Sequence, residues 1–342
     1  MSHAAQGWWA GRAFLVWALC AIGVASPQRH AAAEEFPPYS VPFPVTGRQT
    51  VRANGKNYVI DGKQVIPGGS IIRVEANVRI IGINDASLEV QGGLLVHGTQ
   101  DCWVRIENVN FSPTVAPDNE MHLDMADMYG CTFVTPEASS FRGGFTIENS
   151  ALQGGCKFAL RIESGFLRIM TVNCKVPCHV ESSSEKGTPP EVAIRTSWMQ
   201  DVSLQGNAHV TLRDSEIRGT LEARAFTELV IDGCDLFGNV ALRQGAEGRF
   251  SKLEFLKCNL FGGSKVCLDR PTGPTTKMEK VRIARFFFQD AEGRPELSDK
   301  QIADRIDDGA DKAEVSVKAF WQEPQKRCHF FLSESLKKRR PP

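Results

Sequence analysis

Six charged or aromatic residues stand at the second and fourth places of short alternating segments, and their types suit contact with a sugar chain. Residues at these places alternate with apolar ones, so their side chains are expected on the outside. A tyrosine ring offers a flat stacking platform. The candidate binding residues are Arg105, Glu107, Asp127, Tyr129, Glu148 and Arg168. They predict a polar stripe that grips a polysaccharide, although any outward face needs polar residues for solubility.

No catalytic motif accompanies this stripe. The sequence contains no G-x-S-x-G, H-E-x-x-H, Walker A or Rossmann pattern, so hydrolase, protease and nucleotide-binding functions have no support. The nearest acidic pair is Asp124 and Asp127 in "HLDMAD", which is too weak a pattern for a calcium site. No catalytic residue is assigned, and no metal site is predicted.

The charge balance argues against nucleic acid as a partner. Forty basic residues match forty acidic ones, and no strong global field results. The basic end "SLKKRRPP" is interpreted as a solvated tail.

A ten-residue pattern recurs along the chain and predicts the elements that carry the stripe. "FTIENSALQG", "VTLRDSEIRG", "LVIDGCDLFG" and "LEFLKCNLFG" share apolar first, third and eighth residues and a final Gly. Their alternation is typical of short strands with one buried face, and stacked copies would close a core. The copies begin at Val104, Ala126, Phe145, Leu167, Val192, Val210, Leu229, Leu253 and Val281. We therefore expect Ile147, Leu212 and Ile231 in one vertical file.

The pattern resembles right-handed parallel β-helix proteins of the pectin-lyase-like superfamily. The resemblance covers roughly residues 60 to 290 and is architectural. It implies an all-β, right-handed parallel β-helix solenoid with a short α/β C-terminal capping segment. Within that superfamily, hydrolases use clustered carboxylates, and lyases use an Arg or Lys base near acids that hold Ca²⁺.

Four regions follow from these patterns. Residues 1–33 are expected to be a signal peptide, 34–69 an N-terminal segment and cap, 70–290 the parallel β-helix, and 291–342 a C-terminal helix/strand cap and basic tail. The helix would begin at Ser298 or Asp299, with Ile302 and Ile306 on one side. A strand would follow in "AEVSVKAFW".

The N-terminus predicts export. Arg12 precedes an apolar run at residues 13–25 that is too short to span a bilayer, and cleavage is expected after Ala33, with Ser26 as the alternative. We therefore expect a periplasmic, cell-surface or extracellular protein with no transmembrane span after cleavage.

Cysteines favour the interior over a disulfide framework. Of ten cysteines, cleavage would remove Cys20 and leave an odd number. Cys131, Cys234 and Cys258 occupy the sixth place of their units, where buried thiols are expected. Disulfides joining Cys234 to Cys258, or Cys174 to Cys178, remain alternatives.

Three functions remain open from the sequence. The first is an exported noncatalytic scaffold that binds polysaccharide or serves in the cell envelope. The second is a carbohydrate-active enzyme, a polysaccharide lyase or epimerase, which alone would need a cofactor, Ca²⁺. The third is an adhesin-like module that binds a protein. Few aromatic residues are expected outside. Tyr129, Trp198 and Phe287 are the main ones, with packing beneath a loop at a corner as the alternative for Trp198 and Phe287.

Overall fold

The fold is a parallel β-solenoid. The computed structural model describes residues 39–114, 116, 119–136, 139–182, 188–224, 228–243, 252–256, 258–261, 266–269, 281–284, 287–289 and 306–307. Every strand pair within these residues is parallel and in register, apart from one irregularity at Asp61/Lys63. The described residues contain strands and no helix, so none offers a helix long and apolar enough to cross a membrane. The predicted all-β parallel β-helix is confirmed.

Each turn of the solenoid passes through three faces, which we number in chain order. Face 1 consists of β2 (Arg48–Val51), β4 (Ile71–Val74), β6 (Gly93–His97), β9 (Glu120–Asp124), β12 (Gly144–Glu148), β15 (Phe166–Met170), β18 (Glu191–Arg195), β21 (His209–Arg213), β24 (Glu228–Asp232), β27 (Lys252–Leu256) and β30 (Val281–Ala284).

Face 2 follows the first corner, and face 3 follows the second. Face 2 consists of β7 (Val104–Glu107), β10 (Ala126–Tyr129), β13 (Ala151–Gln153), β16 (Asn173–Cys174), β19 (Trp198–Met199), β22 (Glu216–Ile217), β25 (Asp235–Leu236), β28 (Asn259–Phe261) and β31 (Phe287–Gln289). Face 3 consists of β8 (Asn110–Pro113), β11 (Thr132–Val134), β14 (Lys157–Ile162), β17 (Cys178–Ser182), β20 (Val202–Gln205), β23 (Leu221–Arg224), β26 (Val240–Arg243), β29 (Val266–Asp269) and β32 (Ile306–Asp307).

The first turns use longer strands that run through faces 2 and 3 together. These strands are β3 (Asn57–Ile66) and β5 (Arg79–Val90), and β1 (Ser40–Pro42) pairs with β3. The start of β5 pairs with β7 and its end pairs with β8. Among the described residues, parallel pairing is therefore present from Ser40, within the segment 34–69 that the sequence assigns to an N-terminal segment and cap.

The predicted vertical file exists on face 1. Ile147 pairs through Ile169 and Ile194 with Leu212, which pairs with Ile231. All five are buried. The apolar first and third places of the repeat therefore stack like on like and form one wall of the core.

The phase of the repeat changes near the start of the chain. Copies from Phe145 onward begin on face 1, but the copies at Val104 and Ala126 begin on face 2. The sequence treated them as equivalent because a strand on either face alternates with period two and ends at a tight corner. Their second and fourth residues therefore lie on a different face from those of later copies.

A stack of phenylalanines fills the core between faces 1 and 3. Phe133 lies 5.0 Å from Phe111 and 5.8 Å from both Phe145 and Phe158, measured between ring centroids. Each ring is at most 2% exposed. Such rings bury large apolar areas and stabilise consecutive turns against one another.

The corner between faces 1 and 2 is made by one residue in the left-handed region. Asn149, Thr196 and Asp214 have φ near 50° there, and Gly233 has φ 65°. The next residue points inward, and in several turns its side chain accepts a backbone hydrogen bond. Ser197 Oγ accepts the Val172 N–H at 3.1 Å and donates to the Arg195 carbonyl at 2.8 Å. This role explains why the sixth place of the repeat is small and often polar.

Between β9 and β28, the connection from face 3 back to face 1 varies in length more than the other two corners do. It runs from three residues between β14 and β15 to nine between β11 and β12, against one to three residues at the other corners of these turns. The uneven spacing of the sequence repeat arises at this edge.

Most of the predicted C-terminal helix lies outside the described residues. Ile306, expected on that helix, lies instead in β32, where it pairs with Val266. The predicted strand in "AEVSVKAFW", the basic tail and the signal peptide also lie outside the described residues.

Candidate functional site

Face 2 brings together four of the six predicted site residues. Arg105 pairs in register with Asp127, and Glu107 pairs with Tyr129, so the four side chains form a two-by-two block on β7 and β10. Glu148 and Arg168 lie on face 1 instead, because the copies of the repeat that carry them begin on face 1 and not on face 2. The predicted stripe is therefore two separate groups on neighbouring faces.

A carboxylate held by two guanidinium groups forms one side of the block. Arg79 donates to both oxygens of Glu107, at 2.7 and 3.1 Å, and Arg105 Nε lies 2.6 Å from Glu107 Oε1. Burial acts to raise the pKa of Glu107, but the hydrogen bonds from Arg79 and the charge of Arg105 outweigh it and lower that pKa. Glu107 thus remains ionised and fixes the two arginines, which are nearly half exposed.

Asp127, whose pKa is raised rather than lowered, forms the other side of the block. Burial raises the pKa of Asp127, and the hydrogen bonds from Tyr129 and Gln153 only partly offset it. Gln153 Nε2 donates to Asp127 Oδ1 at 2.9 Å. Burial and the neighbouring Asp127 charge also raise the pKa of Tyr129. Burial thus raises the pKa of both Asp127 and Tyr129 beside Arg105, whose guanidinium carbon lies 5.1 Å from the centre of the Tyr129 ring.

The block continues along face 2 as a stripe of polar and aromatic side chains. Trp198 follows Asn173 in register in the Asp127 column, and its indole N–H donates to Glu216 Oε1 at 3.1 Å. Further along, the guanidinium carbon of Arg218 lies 4.0 Å from the centre of the Phe237 ring. We call this set the face 2 stripe: Arg79, Arg105, Glu107, Asp127, Tyr129, Gln153, Trp198, Glu216, Arg218 and Phe237.

Trp198 lies in strand β19 and not at a corner. It is partly buried and the next residue, Met199, is buried, so the Trp198 side chain stands on the outer side of face 2, at the outward place predicted from the sequence. The seventh and ninth places of the repeat flank the buried eighth, so the same alternation also gives Arg218 and Phe237, which the predicted stripe omitted, outward places. Phe287 lies in β31, and its side chain is outside the described part of the chain.

The two site residues on face 1 belong to other networks. Glu148 Oε1 lies 2.7 Å from His122 Nε2, and the His122 ring meets His97 edge-on at 5.2 Å. Arg168 lies 4.2 Å from the centre of the Phe166 ring and 3.7 Å from Glu191.

Metal ligation finds no support in the part of the chain that is described. It contains no group of three or more His, Cys, Asp or Glu residues suited to a metal ion. Asp124 ends β9 on face 1 and Asp127 lies in β10 on face 2, so the "HLDMAD" acids lie on strands of different faces rather than on a loop.

Comparison with known proteins adds no assignment: the sequence matches no protein family, and neither curated proteins nor solved structures give a significant match. Functional inference therefore depends on the face 2 stripe. Its flat aromatic rings and fixed hydrogen-bonding groups can stack on and hydrogen-bond to a ligand that lies along the surface.

Proposed function

We propose that the protein is an exported, noncatalytic β-helix scaffold that binds a polysaccharide along face 2. The observation that carries this proposal is that the aromatic side chains of Tyr129 and Trp198 lie on that face, and that a third, Phe237, directly follows its strand β25. Each lies beside a hydrogen-bonding or charged group of the face 2 stripe.

The spacing of the three aromatic residues suits an extended chain that runs parallel to the solenoid axis. Tyr129 and Trp198 are three strands apart, about 14 Å at the usual strand spacing, and Trp198 and Phe237 are two strands apart, about 10 Å. One strand spacing is close to the length of one hexose in an extended chain. Successive sugars would therefore meet successive turns.

The charges of the stripe favour a neutral or weakly acidic chain. Arg79 and Arg105 share Glu107, and Arg218 forms an ion pair with Glu216, so the guanidinium charges are largely balanced. Binding through stacking and hydrogen bonds then depends little on salt, unlike binding through unpaired cations.

A glycan array followed by calorimetry tests the proposal. We expect a hit that persists at high salt and that Tyr129→Ala or Trp198→Ala weakens by roughly two- to tenfold each, as expected for one stacking contact. Tyr39→Ala is the matched control, because Tyr39 is 82% exposed and lies outside face 2. Equal affinity in all variants would place the ligand elsewhere, and capture of a protein partner without any glycan hit would favour the adhesin-like alternative.

Asp127 favours a second candidate function, a polysaccharide lyase or epimerase. A carboxyl group with a raised pKa, hydrogen-bonded to a tyrosine and near a guanidinium, is suited to acid–base chemistry at a uronate. Incubation with acidic polysaccharides, with and without Ca²⁺, would then give unsaturated products, or exchange of the ring proton with solvent deuterium. Asp127→Asn would abolish this activity. Product formation that survives Asp127→Asn contradicts this assignment.

Export is part of the proposal and has its own test. The apolar run at residues 13–25 supports a cleaved signal peptide. Expression of the full chain in an exporting host should give a secreted or envelope fraction whose N-terminus is Glu34. Recovery of an intact chain from the cytosol would contradict it.

A further inference from the structure

Cys131 and Cys156 occupy the same corner of two successive turns. Thr132 pairs in register with Lys157, so the residues just before them, the two cysteines, lie one above the other between faces 2 and 3. The Cys131 N–H donates to Cys156 Sγ at 3.3 Å, and the Lys157 N–H donates to the Cys131 carbonyl at 3.0 Å. The two side chains therefore point into the same small space.

The separation of the two residues suits a disulfide. Residues stacked on neighbouring parallel strands lie about 4.8 Å apart. Disulfide-bonded cysteines have Cα atoms about 4.4 to 6.8 Å apart. A bond between the two sulfurs would remove the hydrogen bond that the Cys156 thiol donates to the Met128 carbonyl at 3.4 Å, but it leaves the backbone bond from the Lys157 N–H to the Cys131 carbonyl in place.

The two thiols differ in reactivity. The hydrogen bond from Cys131 lowers the pKa of Cys156 to about 7, whereas the same contact and burial raise the pKa of Cys131. Cys156 is 6% exposed and follows Gly155, where a side chain would meet no atom within 4 Å. Cys156 is therefore both the more acidic and the more accessible sulfur of the pair.

We propose that Cys131 and Cys156 form a redox-active pair that closes to a disulfide linking two successive turns when the protein meets a disulfide oxidant. This inference does not depend on polysaccharide binding.

The reaction proceeds by thiol–disulfide exchange. The Cys156 thiolate attacks one sulfur of the oxidant's disulfide, which forms a mixed disulfide and releases one thiolate. Cys131 then loses its proton and attacks the Cys156 sulfur, which expels the second thiolate. The protein loses two electrons and two protons, and the oxidant becomes two thiols.

The other cysteine pairs are less suited to this reaction. Cys234 and Cys258 also contact one another, but both are at most 1% exposed, and burial raises the pKa of Cys258. Burial likewise raises the pKa of Cys174 to about 12, and Cys174 and Cys178 lie on different faces. Cys102 is exposed and serves as an internal standard for oxidation.

Oxidised glutathione is the probe for the test, applied to the full chain. Trypsin separates the two cysteines cleanly, since Cys131 is the single cysteine of residues 106–142 and Cys156 that of residues 143–157. After oxidation, alkylation and digestion, we expect these two peptides to be joined by a reducible bond. Two separately alkylated peptides, at an oxidant level that already modifies Cys102, would overturn the proposal.

Two variants test the order of attack. Cys131→Ser should trap glutathione on Cys156, and Cys156→Ser should leave Cys131 unmodified. Circular dichroism checks that each variant is folded, and the peptide mapping of the unsubstituted chain decides the proposal if either is not. A stable glutathione adduct on Cys156 in the unsubstituted chain would show that Cys131 does not resolve it, and would also overturn the proposal.

Discussion

Asp127 is a residue on which burial and hydrogen bonding act in opposite directions. Tyr129 and Gln153 both stabilise its ionised form, yet burial at the start of β10 has the larger effect and raises its pKa. Glu107, one strand away, shows the reverse balance because two arginines hold it. The pKa values of two carboxyl groups in one small block are therefore shifted in opposite directions, for identifiable reasons.

Replacement of Asp127 by Asn should change how stability depends on pH. The folded-state pKa is raised above the unfolded value of about 3.9, so the native state binds more protons in this range and Asp127 makes stability fall as pH rises. The Asp127→Asn variant lacks this pH-dependent loss of stability. Its free energy of unfolding, compared with that of the unsubstituted chain, should therefore be higher at neutral pH than at acidic pH. Urea unfolding across that range measures the difference. A difference that does not vary with pH would contradict the assigned shift.

The sequence predicted only some of the residues that form the face 2 stripe. Period-two alternation places Arg105, Glu107, Asp127 and Tyr129 outside from the sequence alone. Arg79 was missed because it lies in the long strand β5, outside any copy of the repeat. Glu148 and Arg168 were grouped with the others because alternation says which side a residue faces, and not which face of the solenoid carries it.

At the scale of elements, the corner residues fix where each strand ends and how it stacks on the strand of the previous turn. A single left-handed residue turns the chain between faces 1 and 2, and the inward residue after it accepts an amide of the previous turn. Cys156 does the same at the next corner. The sequence pattern showed that the residue at the sixth place is small. It could not show that Ser suits this place because its hydroxyl accepts a hydrogen bond from a backbone N–H of the neighbouring turn, since that contact exists only once the turns stack.

Removal of one corner hydroxyl should cost measurable stability. Ser197→Ala leaves the buried Val172 N–H without its acceptor, which should lower the free energy of unfolding by about 1–3 kcal/mol. Ser164→Ala is the control, since the Ser164 hydroxyl bonds the Arg142 carbonyl at the surface. Denaturant unfolding compares the two variants. Equal stability in both would show that the corner amide finds another partner.

At the scale of the whole molecule, the three edges of the solenoid differ. Between β9 and β28, two corners have only one to three residues, and the third edge, between faces 3 and 1, takes up most of the differences in length. The sequence repeat indicated the fold because the apolar residues keep the same places within each strand although the connections differ in length. The exact turn boundaries were not predictable, because long connections interrupt the period without changing the columns.

Insertions should therefore be tolerated at one edge and not at another. A short Gly-Ser segment between Ser139 and Ser140, on the third edge, only lengthens a connection, which costs well under about 1 kcal/mol. The same segment between Asn149 and Ser150 separates a corner residue from its inward neighbour and displaces every column after it. Circular dichroism and unfolding of both variants measure the contrast. Equal tolerance at the two positions would contradict the constant-corner description.

Every turn meets the turns before and after it through the same columns. A gene that gains or loses one complete turn would therefore still encode matching neighbours on both sides of the change. Evolution can in this way change the length of the solenoid by whole turns, while the surface residues of the remaining turns stay unchanged.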